Sequence, residues 1–268
     1  MICRALRERR NANQGGKLTT RRSYWKSFEV GKTADGWQPF RPTSKTQAFA
    51  QLFAGQSDPR HHPEGWCISR RATLNDYRRH LEGIVSLGVC PLADDGLASF
   101  AVVDIDDPDR NLAMDLRDYL LTFNMQSWIE MTEVRRHRVW LFFSEAVAAA
   151  QAGSVLMYAA ERSGLDMALG TPAAIIPNPD RPDSANGQLR DYVNLPYFGV
   201  RGYGRVILDP DDDYTPLQLE SFLECVQSAL ISAHELNTVT EQEGLATAFC
   251  QTGMSIGNPR ITTFLGVF

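Results

Sequence analysis

The sequence predicts an α+β fold with largely antiparallel strands. Apolar strand-like segments and amphipathic helix-like segments follow each other in mixed order along the chain, which is typical of a sheet with helices packed on it. An apolar strand at residues 100–103 runs directly into an acidic segment at 104–109. The strand predicted at 126–131 and the one that begins at 137 are separated by only a few residues, which indicates an antiparallel hairpin.

Caps, periodicity and turn residues predict the other elements. The residues at 43–46 offer a cap for a helix that ends at Gly55, and a second helix begins near Thr73 and ends at Gly83. A turn at 94–96 leads into the acidic strand, and the acidic run at 209–213 is a solvated turn. Further helices are predicted over 112–123, 147–164 and 217–236, and further strands over 66–68, 86–92, 173–176, 192–197 and 205–208.

The chain has 268 residues and a net charge of −5, but the charge is unevenly distributed. Residues 1–45 hold 11 lysines and arginines against 3 acids, so the remainder is strongly acidic. A basic arm favours a nucleic-acid contact, with Arg21, Arg22 and Lys26 as candidates, whereas a solvated disordered leader explains the composition equally well. We expect a leader (1–22), a main domain (23–236, with portions 23–96 and 97–236) and a tail (237–268).

Composition also bears on the compartment. We expect no membrane contact, because no apolar run approaches the length of a membrane span and the Arg-rich N-terminus lacks the apolar segment of a secretion signal. The five cysteines are scattered and form no C-x-x-C pair, so neither a zinc site nor a disulfide framework is expected. These features favour the reducing environment of the cytoplasm.

The acidic strand end carries the first candidate site. Side chains alternate along a strand, so Asp104 and Asp106 point the same way while Ile105 points into the core. Two neighbouring carboxylates repel each other, and a divalent cation relieves that repulsion. His137 begins the next strand but one and is surrounded by arginines. An acid pair that faces a His/Arg cluster suits phosphoryl transfer from a nucleotide, although an isolated D-x-D is more often a turn or helix cap.

Four blocks of the sequence resemble motifs of the archaeo-eukaryotic primase superfamily, and in particular the primase-polymerases of phages, plasmids and bacterial conflict systems of the TOTE type. The first resembles the lead-in "HL-G … GVYPL-DD", the second the metal-binding apolar-D-x-D, the third "H-x-W-x-FF" and the fourth "FPKQD … GNYINLPYFG". The blocks occur in this order at residues 77–83 with 88–95, 102–106, 137–143, and 176–180 with 192–199.

The resemblance implies an RRM-like antiparallel catalytic sheet with a smaller N-terminal α/β portion. It also implies template-directed synthesis from NTPs or dNTPs on single-stranded DNA, with two Mg²⁺ or Mn²⁺ ions. By the same resemblance, Asp104, Asp106 and Asp180 would hold the metals, with Asp183 as the less favoured third acid. His137 would contact the triphosphate. We expect the basic side chains nearby to assist it: Arg135, Arg136, Arg138 and Arg205.

Three departures from the family pattern bear on activity. The glycine-rich run before the histidine is replaced by Thr132-Glu133-Val134-Arg135-Arg136, which removes a backbone cradle for phosphate that arginine hydrogen bonds could replace. Asn178-Pro179 and Arg190-Asp191 replace "KQ" and "GN". Nothing after Asn237 resembles a helicase module, so such a partner would be a separate chain.

Three functions remain open from the sequence. The favoured one is an active primase-polymerase of a phage or mobile element, which works in replication or repair. The second is a nucleic-acid-binding module that keeps the fold and has lost or impaired catalysis. The third, ranked last, is a metal-dependent nuclease that uses the same carboxylates, because a His/Arg cluster suits a triphosphate better.

Overall fold

The computed structural model describes residues 44–57, 70–93, 95–132, 136–165, 167, 173–178, 192–199 and 204–245. In this part of the chain the helices are α1 (Lys45–Leu52), α2 (Leu74–Leu81), α3 (Arg110–Thr122), α4 (Ala149–Arg162), α5 (Leu219–Gln227) and α6 (Ala233–Gln242). The strands are β1 (Gln56–Ser57), β2 (Arg70–Arg71), β3 (Gly88–Cys90), β4 (Leu97–Ile105), β5 (Trp128–Met131), β6 (His137–Ala148), β7 (Ala173–Ile176), β8 (Val193–Asn194), β9 (Val206–Asp209) and β10 (Thr215–Pro216).

The larger sheet has the strand order β10-β9-β5-β6-β4-β7, and its neighbouring strands are antiparallel. Its central part follows the chain order β4-α3-β5-β6-α4-β7. A β-α-β-β-α-β unit of this kind is the ferredoxin-like arrangement that RRM domains share. The predicted α+β fold with an RRM-like antiparallel sheet is therefore confirmed.

The smaller sheet, in the order β2-β1-β3-β8, is also antiparallel. Three of its strands and the helices α1 and α2 come from the N-terminal portion of the chain, and β8 joins them from the C-terminal portion. Gly88 and Val89 of β3 pair with Asn194 and Val193 of β8. The sheet therefore ties the N-terminal portion to the segment that follows β7.

The two faces of the larger sheet bury different side chains. One face, which includes Val103, Ile105 and Val139, packs in a core with residues of α3, α4 and α6. The opposite face, which includes Trp140 and Phe142, packs against α1, α2 and α5. This division follows from the two-residue period of a strand, and it decides which side chains can meet at the end of β4.

Helix caps form where the sequence predicts them. The Ser44 side chain accepts a hydrogen bond from the Gln47 amide at the start of α1, and Thr73 forms a capping box with Asp76 at the start of α2. Gly83 has a φ of +75° just after α2, and a Cβ added to it would lie 3.0 Å from the Gly199 Cα. The chain therefore passes close to itself at Gly83 and Gly199.

The C-terminal part differs from the prediction. The single helix predicted over 217–236 is wrong, because α5 ends at Gln227 and α6 begins at Ala233. Between them, the Ile231 amide donates to the Phe142 carbonyl, and the Ser144 amide donates to the Ile231 carbonyl. These bonds hold the linker against β6, and the Ser232 capping box restarts the helix. The second helix crosses the expected domain boundary at 236.

Other differences are local. The strand predicted over 192–197 is only the two-residue β8. Cys225 on α5 is disulfide-bonded, although the scattered cysteines predicted no disulfide framework, and Cys90 is buried. The leader, the segment 66–68 and the loop 181–188 lie outside the described residues. Of the helices in the described ranges, none combines the length and the apolar character that a membrane span requires.

Candidate active site

The predicted acid pair lies at the end of β4. This strand ends at Ile105, whose side chain is fully buried in the core beneath α3, as the sequence predicts. Asp104 precedes it and is partly buried, and Asp106 follows it and is exposed. This end of the sheet therefore presents two carboxylates, just before the turn that leads into α3.

Arg138 is the side chain of β6 that meets Asp104. The two residues are direct cross-strand partners, so they lie on the same face of the sheet. The Arg138 Nε donates to the Asp104 Oδ1 at 3.1 Å, and its Nη2 donates to Oδ2 at 3.4 Å. This two-point contact engages both oxygens of the carboxylate with one guanidinium edge.

Glu130 lies on the other side of Arg138, where it is its cross-strand partner from β5. Its carboxylate is fully buried, with Oε1 3.6 Å from the Arg138 Nη1 and Oε2 accepting a 2.7 Å hydrogen bond from the Trp140 Nε1. Burial raises the pKa of Glu130 to about 7, against the lowering effect of the Arg138 charge. Glu130 was not among the predicted site residues, although a lone carboxylate between Ile129 and Met131 in an apolar strand was an available signal.

The charge on Arg138 is stabilised from both sides. Burial alone disfavours the guanidinium charge, but the carboxylates of Glu130 and Asp104 together keep the pKa of Arg138 above its usual value. The Arg138 Nη1 also donates to the Asn194 carbonyl at 3.2 Å. The end of β8 in the smaller sheet therefore contacts the site in the larger one.

Arg136 pairs with the second acid. Its Nε forms an ion pair with the Asp106 Oδ1, and both side chains are half-exposed. Arg136 lies just before β6, and its amide donates to the Thr132 hydroxyl across the loop from β5. Each of the two predicted metal ligands therefore has an arginine partner at the same edge of the sheet.

His137 lies at this edge but on the opposite face. It pairs with Ile105 and with Met131, both of which belong to the face that packs on α3. The side chain is buried, and within the described part of the chain its Nδ1 has no hydrogen-bond partner. Burial lowers the pKa of His137, and a hydrogen bond with the Asp107 backbone opposes that shift. In the motif "H-x-W" the histidine stands two residues before the tryptophan. In this chain Arg138 stands two residues before Trp140, and His137 stands three residues before it.

Arg205 lies on the Glu130 side of the site. It is buried, its Nη2 donates to the Ser86 hydroxyl at 2.7 Å, and its guanidinium carbon lies 5.9 Å from the centre of the Phe198 ring. Burial raises the pKa of Glu130, and the positive charge of Arg205 partly opposes that rise. A contact of Arg205 with a triphosphate stays a prediction.

The remaining predicted site residues lie outside the described part of the chain: Arg21, Arg22, Lys26, Arg135, Asp180 and Asp183. Among the described residues, no three His, Cys, Asp or Glu side chains are grouped so that they could hold a metal ion. The donors at the end of β4 nevertheless suit Mg²⁺ or Mn²⁺, which prefer carboxylate oxygens. In the structure, the guanidinium of Arg138 lies on both oxygens of Asp104.

A family model described as the archaeo-eukaryotic primase domain of the TOTE conflict system matches residues 24–205, which is more than half of the chain. This match and the fold define the class of protein as a primase/polymerase-type nucleotidyltransferase. The chain belongs to the archaeo-eukaryotic primase family of TOTE conflict systems. The resemblance that the four sequence blocks indicate is thereby confirmed.

The chain is also similar to a solved structure, the polymerase domain of ligase D from Mycobacterium tuberculosis in complex with DNA. The sequence identity is 15%, the match covers 72% of each chain, and the TM-score is 0.26. A TM-score this low supports no residue-by-residue comparison. A comparison with curated proteins found no match.

Proposed function

We propose that the chain is a template-directed nucleotidyltransferase that adds NTPs or dNTPs to a 3′ hydroxyl on single-stranded DNA. One observation carries the proposal: two carboxylates and two guanidinium groups meet at one end of the catalytic sheet, as the pairs Asp104–Arg138 and Asp106–Arg136. Carboxylates suit divalent cations, and guanidinium groups suit phosphate. The same edge therefore offers complementary charges for a metal–nucleotide complex.

In this proposal Asp104 and Asp106 hold Mg²⁺ or Mn²⁺, and Asp180 is the candidate for the third ligand. Bound there, two metal ions would lower the pKa of the attacking 3′ hydroxyl and offset the charge on the pyrophosphate leaving group. The half-exposed Arg136 can leave Asp106 and donate to the triphosphate. His137, which the family resemblance assigns to the triphosphate, is buried beside the acidic segment, and we assign it to holding that segment.

The other proposed partners follow from charge and from the family. The basic arm, with Arg21, Arg22 and Lys26, would contact the nucleic-acid backbone. We keep the main domain as the catalytic unit but extend its end beyond residue 236, because α6 runs to Gln242 and buries Leu236 and Val239.

A second candidate function is a nucleic-acid-binding module of the same fold with impaired catalysis. One observation favours it: Arg138 engages both oxygens of Asp104, so that carboxylate is neutralised without a metal ion. The side chain of Arg138 is only 14% exposed, so solvent does little to loosen the pair.

Primer extension on single-stranded DNA with Mn²⁺ distinguishes the two functions. We expect nucleotide incorporation by the parent chain and a loss of about 100-fold or more in Asp104→Asn, because the charge on a metal ligand is removed. The control is Asp115→Asn, which removes an equal charge from an exposed position of α3. Incorporation that survives in Asp104→Asn contradicts the proposal. The second function is supported if the parent chain binds DNA without incorporating nucleotides and Asp104→Asn binds DNA equally well.

A further inference from the structure

Arg138 lies between two carboxylates in different environments. Asp104 on one side has 33% of its side chain exposed, whereas Glu130 on the other side is fully buried. The Arg138 Nε and Nη2 are used by Asp104, and its Nη1 donates to the Asn194 carbonyl. The whole guanidinium is therefore held by protein groups when no substrate is bound.

Only one of the two carboxylate oxygens of Glu130 accepts a hydrogen bond from the described residues. Its Oε2 accepts from Trp140, but its Oε1 is buried and has no hydrogen-bond partner among the residues that the structure describes. The Arg138 Nη1 is 3.6 Å from that oxygen, which is just beyond hydrogen-bond distance. A small shift of the guanidinium away from Asp104 would complete this bond.

We propose that Glu130 is a positioning residue that receives Arg138 when a divalent cation binds to Asp104. In the free protein the guanidinium of Arg138 pairs with Asp104. When the metal ion binds, the guanidinium moves to Glu130, which accepts its hydrogen bond. This inference rests on the proposed function in one respect only, namely that Asp104 is a metal ligand.

The proposal predicts opposite effects for the two partners. Arg138→Gln removes a positive charge that competes with the metal for Asp104, so metal binding becomes tighter. Glu130→Gln leaves Asp104 as the only one of these two carboxylates that Arg138 can pair with, so the metal must displace a more firmly held guanidinium and binds more weakly. If Arg138 and Glu130 only supported the fold, replacing either of them would weaken metal binding.

The test is Mn²⁺ binding by the full chain at pH 8, measured from the electron paramagnetic resonance signal of free Mn²⁺. This pH is above the pKa of Glu130, so the carboxylate is ionised in the parent. We expect Arg138→Gln to bind about tenfold more tightly and Glu130→Gln about threefold or more weakly, given the strength of charge pairs near a protein surface. Asp104→Asn should abolish the tight site. Glu82→Gln, which breaks the exposed Arg78–Glu82 pair at the end of α2, should leave Mn²⁺ binding unchanged.

The double variant Glu130→Gln/Arg138→Gln keeps the test valid if one single variant fails to fold. Removing both charges together leaves no unpaired ion between them, and we expect this variant to bind Mn²⁺ as tightly as Arg138→Gln. Weaker binding in both single variants, or a double variant no tighter than the parent, overturns the inference. Mn²⁺ that binds nowhere in the series overturns both the inference and the metal site. If the variants show the expected order of Mn²⁺ affinities but the parent incorporates no nucleotide, the proposed function is contradicted and the inference about Glu130 stands.

Discussion

The imidazole of His80 donates a hydrogen bond from its Nε2 to the carbonyl of Pro196 over 2.8 Å. The proton is on Nε2 because Nδ1 accepts from the Leu87 amide at 3.0 Å. His80 is fully buried, and its ring stacks on Phe49 with the centroids 5.9 Å apart. This residue therefore joins α2 to the segment after β8, and it does so as a neutral imidazole.

The first prediction concerns the stability of this junction in acid. Burial lowers the pKa of His80 from 6.5 to about 4. Between these values the unfolded chain binds a proton that the folded chain does not, so the free energy of unfolding falls as the pH falls. We expect a loss of about 3 kcal/mol across this window, measured by urea unfolding, and a flatter profile in His80→Gln. An equally steep profile in the variant would assign the acid sensitivity to another group.

The second prediction compares two glycines. Gly83 and Gly96 have φ values of +75° and +77°. A Cβ added at Gly83 would meet the Gly199 backbone, whereas one added at Gly96 would meet no atom of the described residues within 4 Å. We expect Gly96→Ala to cost about 1 kcal/mol from the left-handed backbone alone, and Gly83→Ala to cost about 2 kcal/mol or more. If both variants lose the same free energy of unfolding in thermal or urea unfolding, the backbone at Gly83 and Gly199 accommodates the added Cβ without a measurable loss of stability.

The third prediction concerns Glu130. Its folded-state pKa is raised from 4.5 to about 7 by burial. Between these values the folded chain holds a proton that the unfolded chain has released, so the free energy of unfolding falls as the pH rises. We expect Glu130→Gln to lack this slope and to gain about 3 kcal/mol relative to the parent from pH 4.5 to pH 7. The difference between the two urea-unfolding profiles is the measurement, and a constant difference contradicts the shifted pKa.

The fourth prediction separates Arg136 from His137 in nucleotide binding. Arg136 is half-exposed beside Asp106, and His137 is buried on the α3 face. We expect Arg136→Gln to raise the KM for the incoming nucleotide about tenfold, the size of a lost charge-assisted hydrogen bond. His137→Gln should leave the KM unchanged. A comparable rise in His137→Gln would mean that the imidazole reaches the triphosphate, as the family resemblance implies.

Much of the fold could be predicted because its signals are local. Helices α1 and α2 have the serine and threonine caps that the sequence offers, and β7 coincides with the apolar run at 173–176. The break between α5 and α6 could not be predicted in this way. It depends on the hydrogen bonds of Ile231 to β6, which lies far away in the sequence.

The candidate site was predicted in part. Asp104 and Asp106 were found because a carboxylate pair at a strand end is visible in the sequence. The position of Arg138 opposite Asp104 depends on the register of β4 and β6, and shifting that register by one residue would exchange Arg138 for His137. Glu130 was missed because its significance depends on β5 lying beside β6.

Helix α6 has a practical consequence for anyone who shortens this protein. The Glu145 carboxylate at the far end of β6 accepts from the Ala233 amide, and the Gln151 side chain on α4 donates to Thr240. A truncation at residue 236 would cut through this helix, strip Val239 from the core and expose the back of the strand that carries Arg138. Fragments intended for biochemical assays should therefore end no earlier than residue 245.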